Sequence, residues 1–73
     1  MKTIRIKFSE RYAEQVGIIL YSLELKILMT WCSEGLLDET QIICVLKLNK
    51  EGSPITPELQ LEKLREKSFI KII

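Results

Sequence analysis

Two cysteines, Cys32 and Cys44, are the side chains with the most scope for covalent chemistry in this chain. As thiolates they could serve as a nucleophile or as a redox pair. Neither cysteine, however, has a histidine or a cluster of lysines and arginines beside it in the sequence to activate it. Free cysteines are most often simply buried, so the sequence predicts a small core side chain at Cys44 and a residue at the rim of the core at Cys32.

The remaining residues offer little else for catalysis. The chain has no histidine, its only aspartate is Asp38, and it contains no glycine-rich phosphate-binding loop. These absences remove the usual general bases, most metal sites and nucleotide hydrolysis. Trp31 could stack on a ligand, but a large aromatic residue at a strand end more often caps the core. The sequence therefore predicts a protein that is not an enzyme and that carries neither a cofactor nor a metal.

Composition indicates one small soluble domain over residues 1–73. Lys and Arg number 11 against 10 Asp and Glu, so no net charge draws the chain to nucleic acid or to an anionic membrane, and binding to nucleic acid is not expected. The longest apolar run, residues 16–23, is far shorter than the ~20 residues of a membrane span. Two cysteines without metal-type spacing, and no export signal, predict a cytoplasmic protein.

Hydrophobic periodicity changes repeatedly along the chain and marks out its elements. Alternation of polar and apolar residues is typical of half-buried strands. Apolar residues that recur at i, i+4, i+7 and i+8 indicate one face of a helix. We expect a strand at 3–8, a helix at 12–23, strands at 23–31 and 42–48, a helix at 56–68 and a strand at 69–73. The order β-α-β-β-α-β is that of the ferredoxin-like α+β sandwich, a four-stranded antiparallel sheet with two helices on one face.

Particular residues mark where these elements begin and end. Ser9 is the expected N-cap of the first helix. Thr56 followed by Pro57 is a typical start for the second helix. In the polar connection between the second and third strands, Leu36 and Leu37 are expected to pack back onto the domain.

Alternation also predicts which side chains share a face of the sheet. In the second strand the odd positions of 23–31 are expected to face the helices, so Cys32 belongs to the opposite face. Cys44 shares the side of Ile42 and Leu46, which are expected to face the helices in the third strand. The two sulfurs should therefore lie on opposite sides of the sheet, outside disulfide geometry, and both should titrate as free thiols.

Residues 22–33 have a second interpretation. Apolar residues in this stretch also fit helical spacing, and Leu, Glu, Lys and Met are good helix formers. A helix there would give the order strand, helix, helix of a ribbon-helix-helix DNA-binding repressor, with Thr3, Arg5 and Lys7 in the major groove. A strand is favoured because no turn cluster separates the two helices and because the strand-like residues 41–48 have no place in that fold.

Three segments carry a family resemblance: residues 4–8 leading into the first helix, residues 25–28 (Leu-Lys-Ile-Leu), and the ending at 64–72. Residues 25–28 stand where NIL domains have their Asn-Ile-Leu. The chain resembles the ACT-like group of small regulatory domains, and within it the NIL domains attached to methionine-import ATPases. The resemblance covers nearly the whole chain and implies a non-catalytic dimeric module that senses an amino acid or a similar small polar ligand.

The same resemblance implies a ligand site at the turn from 9 to 13, near the second strand of a partner subunit. Ser9 and the free N–H groups of the first helix would take a carboxylate, and Arg11 would add charge. Lys26 would reach across to the same ligand. Tyr12 and Ala13 stand where many ACT domains open this helix with Pro-Gly.

The sheet face away from the helices is the expected dimer surface. Leu28, Ile43 and Val45 form an apolar strip there, which a small monomer would not readily leave exposed to water. We therefore expect a homodimer formed through this face or through an edge strand. Alternatively, a partner protein could add a strand to an exposed edge, which would make the chain a protein-interaction module. The charged residues expected on or near this face are Arg5, Lys7, Glu24, Lys26 and Lys47.

Overall fold

The computed structural model describes residues 2–35 and 39–73. Over these residues the chain forms β1 (Thr3–Ser9), α1 (Ala13–Ser22), β2 (Lys26–Glu34), β3 (Thr40–Lys47), α2 (Pro57–Arg65) and β4 (Lys71–Ile72). A short 3-10 turn, Glu10–Tyr12, joins β1 to α1. Leu36 and Leu37, which were expected to pack onto the domain, lie outside the described residues.

The strands form a four-stranded antiparallel sheet in the order β2-β3-β1-β4. The predicted α+β class is confirmed, and the arrangement is consistent with a ferredoxin-like sandwich. β4 is shorter than the predicted strand at 69–73, because Phe69 stacks on Tyr12 and the N–H of Ile70 donates to the carbonyl of Lys67 in a turn. Within residues 69–73, strand pairing with β1 is formed by Lys71 and Ile72 alone.

One face of the sheet is buried against the two helices. β1 and β3 pair in register, so their even-numbered residues share this face and their odd-numbered residues share the other. We call the second face, which no helix of the described residues covers, the open face. The buried cluster draws on the even positions of β1 and β3, on both helices and on the segments beside them: Ile6, Phe8, Val16, Leu20, Leu23, Leu25, Cys44, Leu46, Leu48, Leu64 and Ile70.

β2 lies at the edge of the sheet, and all of its residues are exposed. Its pairing with β3 shifts between Ile27 and Met29, which leaves Leu28 as the extra residue of a β-bulge. Ile27 faces the helix side, but Met29 and Trp31 pair with β3 residues of the open face. The prediction that the odd positions of 23–31 all face the helices is therefore wrong beyond Ile27, because the bulge reverses the alternation.

The helical interpretation of residues 22–33 is also wrong. α1 ends at Ser22, where the N–H of Leu23 donates to the carbonyl of Ile19 at 3.0 Å, and the chain turns through Glu24, which has a φ of 58°. β2 follows directly, so the strand-helix-helix order of a ribbon-helix-helix repressor is not formed. The sequence predicts Glu24 on or near the open face, but Glu24 lies in the turn between α1 and β2.

The two predicted N-caps behave differently. The hydroxyl of Thr56 accepts a hydrogen bond from the N–H of Leu59 at 3.1 Å, and Pro57 opens α2, as predicted. Ser9 does not cap α1, because its hydroxyl donates instead to the carboxylate of Glu39, at 3.1 Å, and a 3-10 turn separates it from the helix. The side chain of Ser9 therefore connects the end of β1 to the residues that precede β3.

Gln60 is a fully buried polar residue that the hydrophobic pattern did not indicate. Its side-chain oxygen accepts from the backbone N–H of Asn49 at 2.9 Å, and its amide nitrogen donates to the carbonyl of Leu23 at 2.8 Å. The side chain of Asn49 in turn donates to the carbonyl of Ile55 at 2.9 Å. Gln60 thus ties α2 to the segment after β3 and to the end of α1.

Two glycine substitutions should change stability in opposite directions. Gly17→Ala should raise the free energy of unfolding by about 0.5–1 kcal/mol, because glycine weakens a helix interior and a Cβ there meets nothing within 4 Å. Gly35→Ala should lower it by roughly 1–3 kcal/mol, because the Cβ would lie 2.7 Å from the carbonyl oxygen of Glu39. Urea denaturation of both variants measures the two free energies of unfolding. Equal changes in the two variants would contradict the steric clash predicted for a side chain at Gly35.

Candidate functional site

An open cleft of about 730 Å³ lies at one end of the sheet. The end of β1, the end of β2, the residues around the start of β3 and the segment before β4 form its walls. Ser9, Arg11 and Tyr12, three of the residues predicted to bind a ligand, lie in this wall. We call this site the end cleft.

A carboxylate of the chain itself occupies the polar side of the end cleft. One oxygen, Oε1 of Glu39, accepts a hydrogen bond from the hydroxyl of Ser9 at 3.1 Å and also from the guanidinium of Arg11. The Arg11 and Glu39 side chains are 64% and 38% exposed, so this ion pair contributes at most about 1 kcal/mol to stability. The two donors predicted to hold a ligand carboxylate therefore converge on one carboxylate oxygen.

Aromatic rings form another part of the cleft. The rings of Tyr12 and Phe69 are stacked, with their centroids 4.7 Å apart and their planes inclined by 19°. Phe8, which also lines the cleft, is buried in the core. The aromatic stack gives the cleft an apolar surface next to the polar group of Ser9, Arg11 and Glu39.

The other two predicted ligand residues lie outside the cleft. Ala13 begins α1 and packs against the hydrophobic core. Lys26 pairs with Lys47 at the far end of the sheet, whereas Ser9 pairs with Gln41 at the cleft end. A protomer therefore assembles Ser9, Arg11 and Tyr12 at one site, and its own Lys26 is remote from them.

The residues predicted for a dimer interface fall into two groups. Ile43 and Val45 lie on the open face, as expected, and both are half-buried. Leu28 is the bulged residue at the edge, so Met29 and Trp31 take the expected place of Leu28 on the open face. The apolar strip on that face thus consists of Met29, Trp31, Ile43 and Val45.

The cysteines are placed on the same side of the sheet, which corrects the predicted register. Cys32 pairs with Ile42, and Cys44 pairs with Thr30 after the bulge, so both belong to the helix side. The sulfur of Cys44 lies 3.6 Å from the hydroxyl of Thr30. Cys44 is buried and Cys32 is exposed at the edge, as the core and rim interpretation predicted, and both are free thiols.

The exposure of the two thiols predicts very different reaction rates with Ellman's reagent. One thiol, Cys32, should react at once in the native protein, and Cys44 should react only as the chain opens. In denaturant both should react at the same rate, and a Cys32→Ser variant should lose the fast phase. Two fast native thiols, or none, would contradict the burial described here.

Sequence reasoning did not find the role of Glu39. The sequence predicts a polar connection between β2 and β3, and alternation gives no information on how such a connection folds. The N–H of Gly35 donates to the carbonyl of Glu39 at 2.6 Å, which brings the carboxylate back to the end of β1. A single acidic residue after a glycine is too weak a signal to reveal this contact.

Wider comparison does not extend the resemblance drawn from the sequence. No protein-family model matches the chain, and no curated protein or solved structure is significantly similar to it. Within residues 2–35 and 39–73, no three His, Cys, Asp or Glu side chains come together in a group that could hold a metal ion. No helix in the part of the chain that the structure describes is long and apolar enough to cross a bilayer.

Proposed function

We propose that the chain is a non-catalytic, cytoplasmic regulatory domain of ferredoxin-like fold that binds a small carboxylate ligand, such as an amino acid, in the end cleft. The observation that carries this proposal is the convergence of Ser9 and Arg11 on one oxygen of Glu39. This donor pair is suited to a carboxylate, since charge-assisted hydrogen bonds to carboxylate oxygens are among the strongest in proteins.

The rest of the cleft suits the other parts of an amino acid. Its volume of about 730 Å³ is within the range of small-molecule sites. The stacked rings of Tyr12 and Phe69 offer an apolar surface for a side chain. Glu34, which also lines the cleft, offers a carboxylate to an ammonium group. The resemblance to ACT-like domains supports the same ligand class.

We propose further that the domain acts as a homodimer joined through β2. All residues of this edge strand are exposed, and a long exposed edge favours pairing with another strand. In an antiparallel pair with its two-fold axis at Thr30, Met29 would face Trp31 of the partner subunit on the open face. Sulfur and aromatic side chains form favourable cross-strand contacts.

This dimer would also complete the ligand site. The antiparallel pairing brings the start of one β2 beside the end of the other. Lys26 of the partner subunit would then lie next to Ser33 and Glu34, which line the end cleft. The predicted contribution of Lys26 to the ligand is thus compatible with its remote position in its own protomer.

A screen of the twenty amino acids by ligand-observed NMR tests the ligand proposal. At least one should bind, and Arg11→Ala should weaken that binding roughly 10- to 100-fold, the range expected for the loss of a charged hydrogen bond. Lys63→Ala is the matched control and should leave the affinity unchanged, because Lys63 lies on α2 outside the cleft. Glu39→Gln should raise the affinity, because the competing carboxylate is removed.

Absence of binding in both the wild type and Glu39→Gln would contradict the ligand proposal. The second candidate function would then be a protein-interaction module, which the exposed edge of β2 supports. A partner would add a strand to this edge through main-chain hydrogen bonds.

A further inference from the structure

The charges of the four strands are segregated between the two faces of the sheet. Glu34 is the only acidic residue in the strands, and it pairs with Thr40 on the helix side. Every lysine and arginine of the strands lies at a position of the open face. These cations are Arg5, Lys7, Lys26, Lys47 and Lys71. A chain with a net charge of only +1 therefore carries a strongly basic surface.

The strand register places these cations around the apolar strip. Trp31, Ile43, Lys7 and Lys71 form one row across the four strands. Met29, Val45 and Arg5 form the next row. Lys26 and Lys47 follow in a third. The apolar half of the surface thus lies on β2 and β3, and cations border it on two sides.

Trp31 is the exposed aromatic residue of this surface. It is 37% exposed, and its neighbour on the same face, Met29, is 60% exposed. Trp31 lies on a strand that is paired with β3 along its inner edge, and this pairing fixes the backbone of Trp31 and the face of the sheet on which it lies. A flat aromatic ring in an apolar strip that lysine and arginine border can stack on a nucleobase while the cations contact phosphates.

We propose that the open face binds single-stranded nucleic acid. A second copy of the chain is a poor occupant, since face-to-face packing would bring five cations against five. An acidic protein segment would neutralise the cations but would not supply a base that stacks on the exposed indole ring. Duplex DNA presents phosphates without accessible base faces, so it too would leave Trp31 unused. The net charge of the chain predicts no binding to nucleic acid. It does not describe the electrostatic potential at the open face, because the net charge sums over all surfaces of the protein.

Titration with a fluorescein-labelled dT12 oligonucleotide tests the inference directly. Binding should raise the anisotropy of the label and quench the emission of Trp31, which is the only tryptophan of the chain. If all five cations contact phosphates, the logarithm of the association constant should fall with the logarithm of salt concentration at a slope of about −3.5. That slope is a loss of about 100-fold between 50 and 200 mM salt.

Paired variants identify the surface. Arg5→Gln with Lys47→Gln removes two cations of the open face that do not line the end cleft, and should weaken binding and reduce the salt slope by about 1.4. The charge-matched control, Lys63→Gln with Arg65→Gln on α2, should bind as the wild type does. Trp31→Ala should cost roughly 5- to 150-fold in affinity, the range for loss of one stacked base. Lys7 and Lys71 belong to both surfaces, since they also line the end cleft. Arg11 lies in the end cleft but not at a position of the open face, so Arg11→Ala should not affect the binding of dT12.

Three outcomes would overturn the inference. The first is no binding of dT12 at 50 mM salt. The second is equal weakening by the two charge-matched double variants. The third is competition by polyglutamate, or by a 12-base-pair duplex, that is as effective as unlabelled dT12, since either would show that the surface recognises charge without bases.

Discussion

Replacing Gln60 by alanine should lower the free energy of unfolding by about 3 kcal/mol. The substitution removes the partners of two backbone groups, the partly buried N–H of Asn49 and the buried carbonyl of Leu23, and a buried group without a partner costs about 1–3 kcal/mol. Gln15→Ala, at an exposed position of α1, is the matched control and should change stability by less than about 0.5 kcal/mol. Chemical denaturation measures both variants, and a loss below 1 kcal/mol for Gln60→Ala would refute the role given to this side chain.

Gln60→Glu should make the free energy of unfolding depend on pH, because the new carboxyl group would lie in the same buried hydrogen-bond site. A carboxylate could still accept from Asn49, but it would place an oxygen against the carbonyl of Leu23. Burial should raise the pKa of the introduced carboxyl in the folded state, because water no longer stabilises its charge. The protonated form can donate to Leu23, so the variant should be most stable at low pH and lose stability as the pH rises through the raised pKa. A pH-independent difference from the wild type would argue against this geometry.

Thr30→Lys should convert the proposed dimer to a monomer. The two-fold axis of an antiparallel β2 pair centred on Thr30 would place two lysines next to each other, and an inward charge on an edge strand is an effective block to pairing. Sedimentation equilibrium measures the change as a halving of the molecular mass. Thr3→Lys adds the same charge at an exposed position on β1, an interior strand of the sheet, and should leave the dimer intact. A wild-type chain that is already monomeric at high concentration would contradict the edge-strand dimer.

Most elements of the fold could be deduced from the sequence because each follows a single period, whereas residues 22–33 fit both the strand and the helix period. Two such patterns are the alternation at Ile4, Ile6 and Phe8 and the helix start at Thr56 and Pro57. Both depend on neighbouring residues in the sequence, so tertiary contacts do not change them. The bulge at Leu28 could not be deduced, because one extra residue in a strand leaves the apolar pattern unchanged and only reverses the faces.

The candidate site was predicted less completely than the fold. Ser9 and Arg11 are expected at a ligand site because the resemblance to ACT-like domains implies such a site at the turn from 9 to 13. Their contact with Glu39 depends on how the connection from Gly35 returns to the sheet, and that path is a tertiary property. The net charge was equally uninformative about the open face, since it sums over residues that folding separates onto different surfaces.

The unequal edges of the sheet limit how far it can assemble. A chain that paired β2 of one copy with β4 of the next would build an open filament, because such a contact never closes on itself. β4, however, has only two paired residues, too few to hold the long strand β2 of a neighbour. Among the described strands, the edge of matching length is β2 of another copy, and in the proposed dimer that contact would occupy the β2 edge of both molecules. The short last strand would then leave no second long edge to which further copies could add, so the proposed assembly would stop at a closed pair.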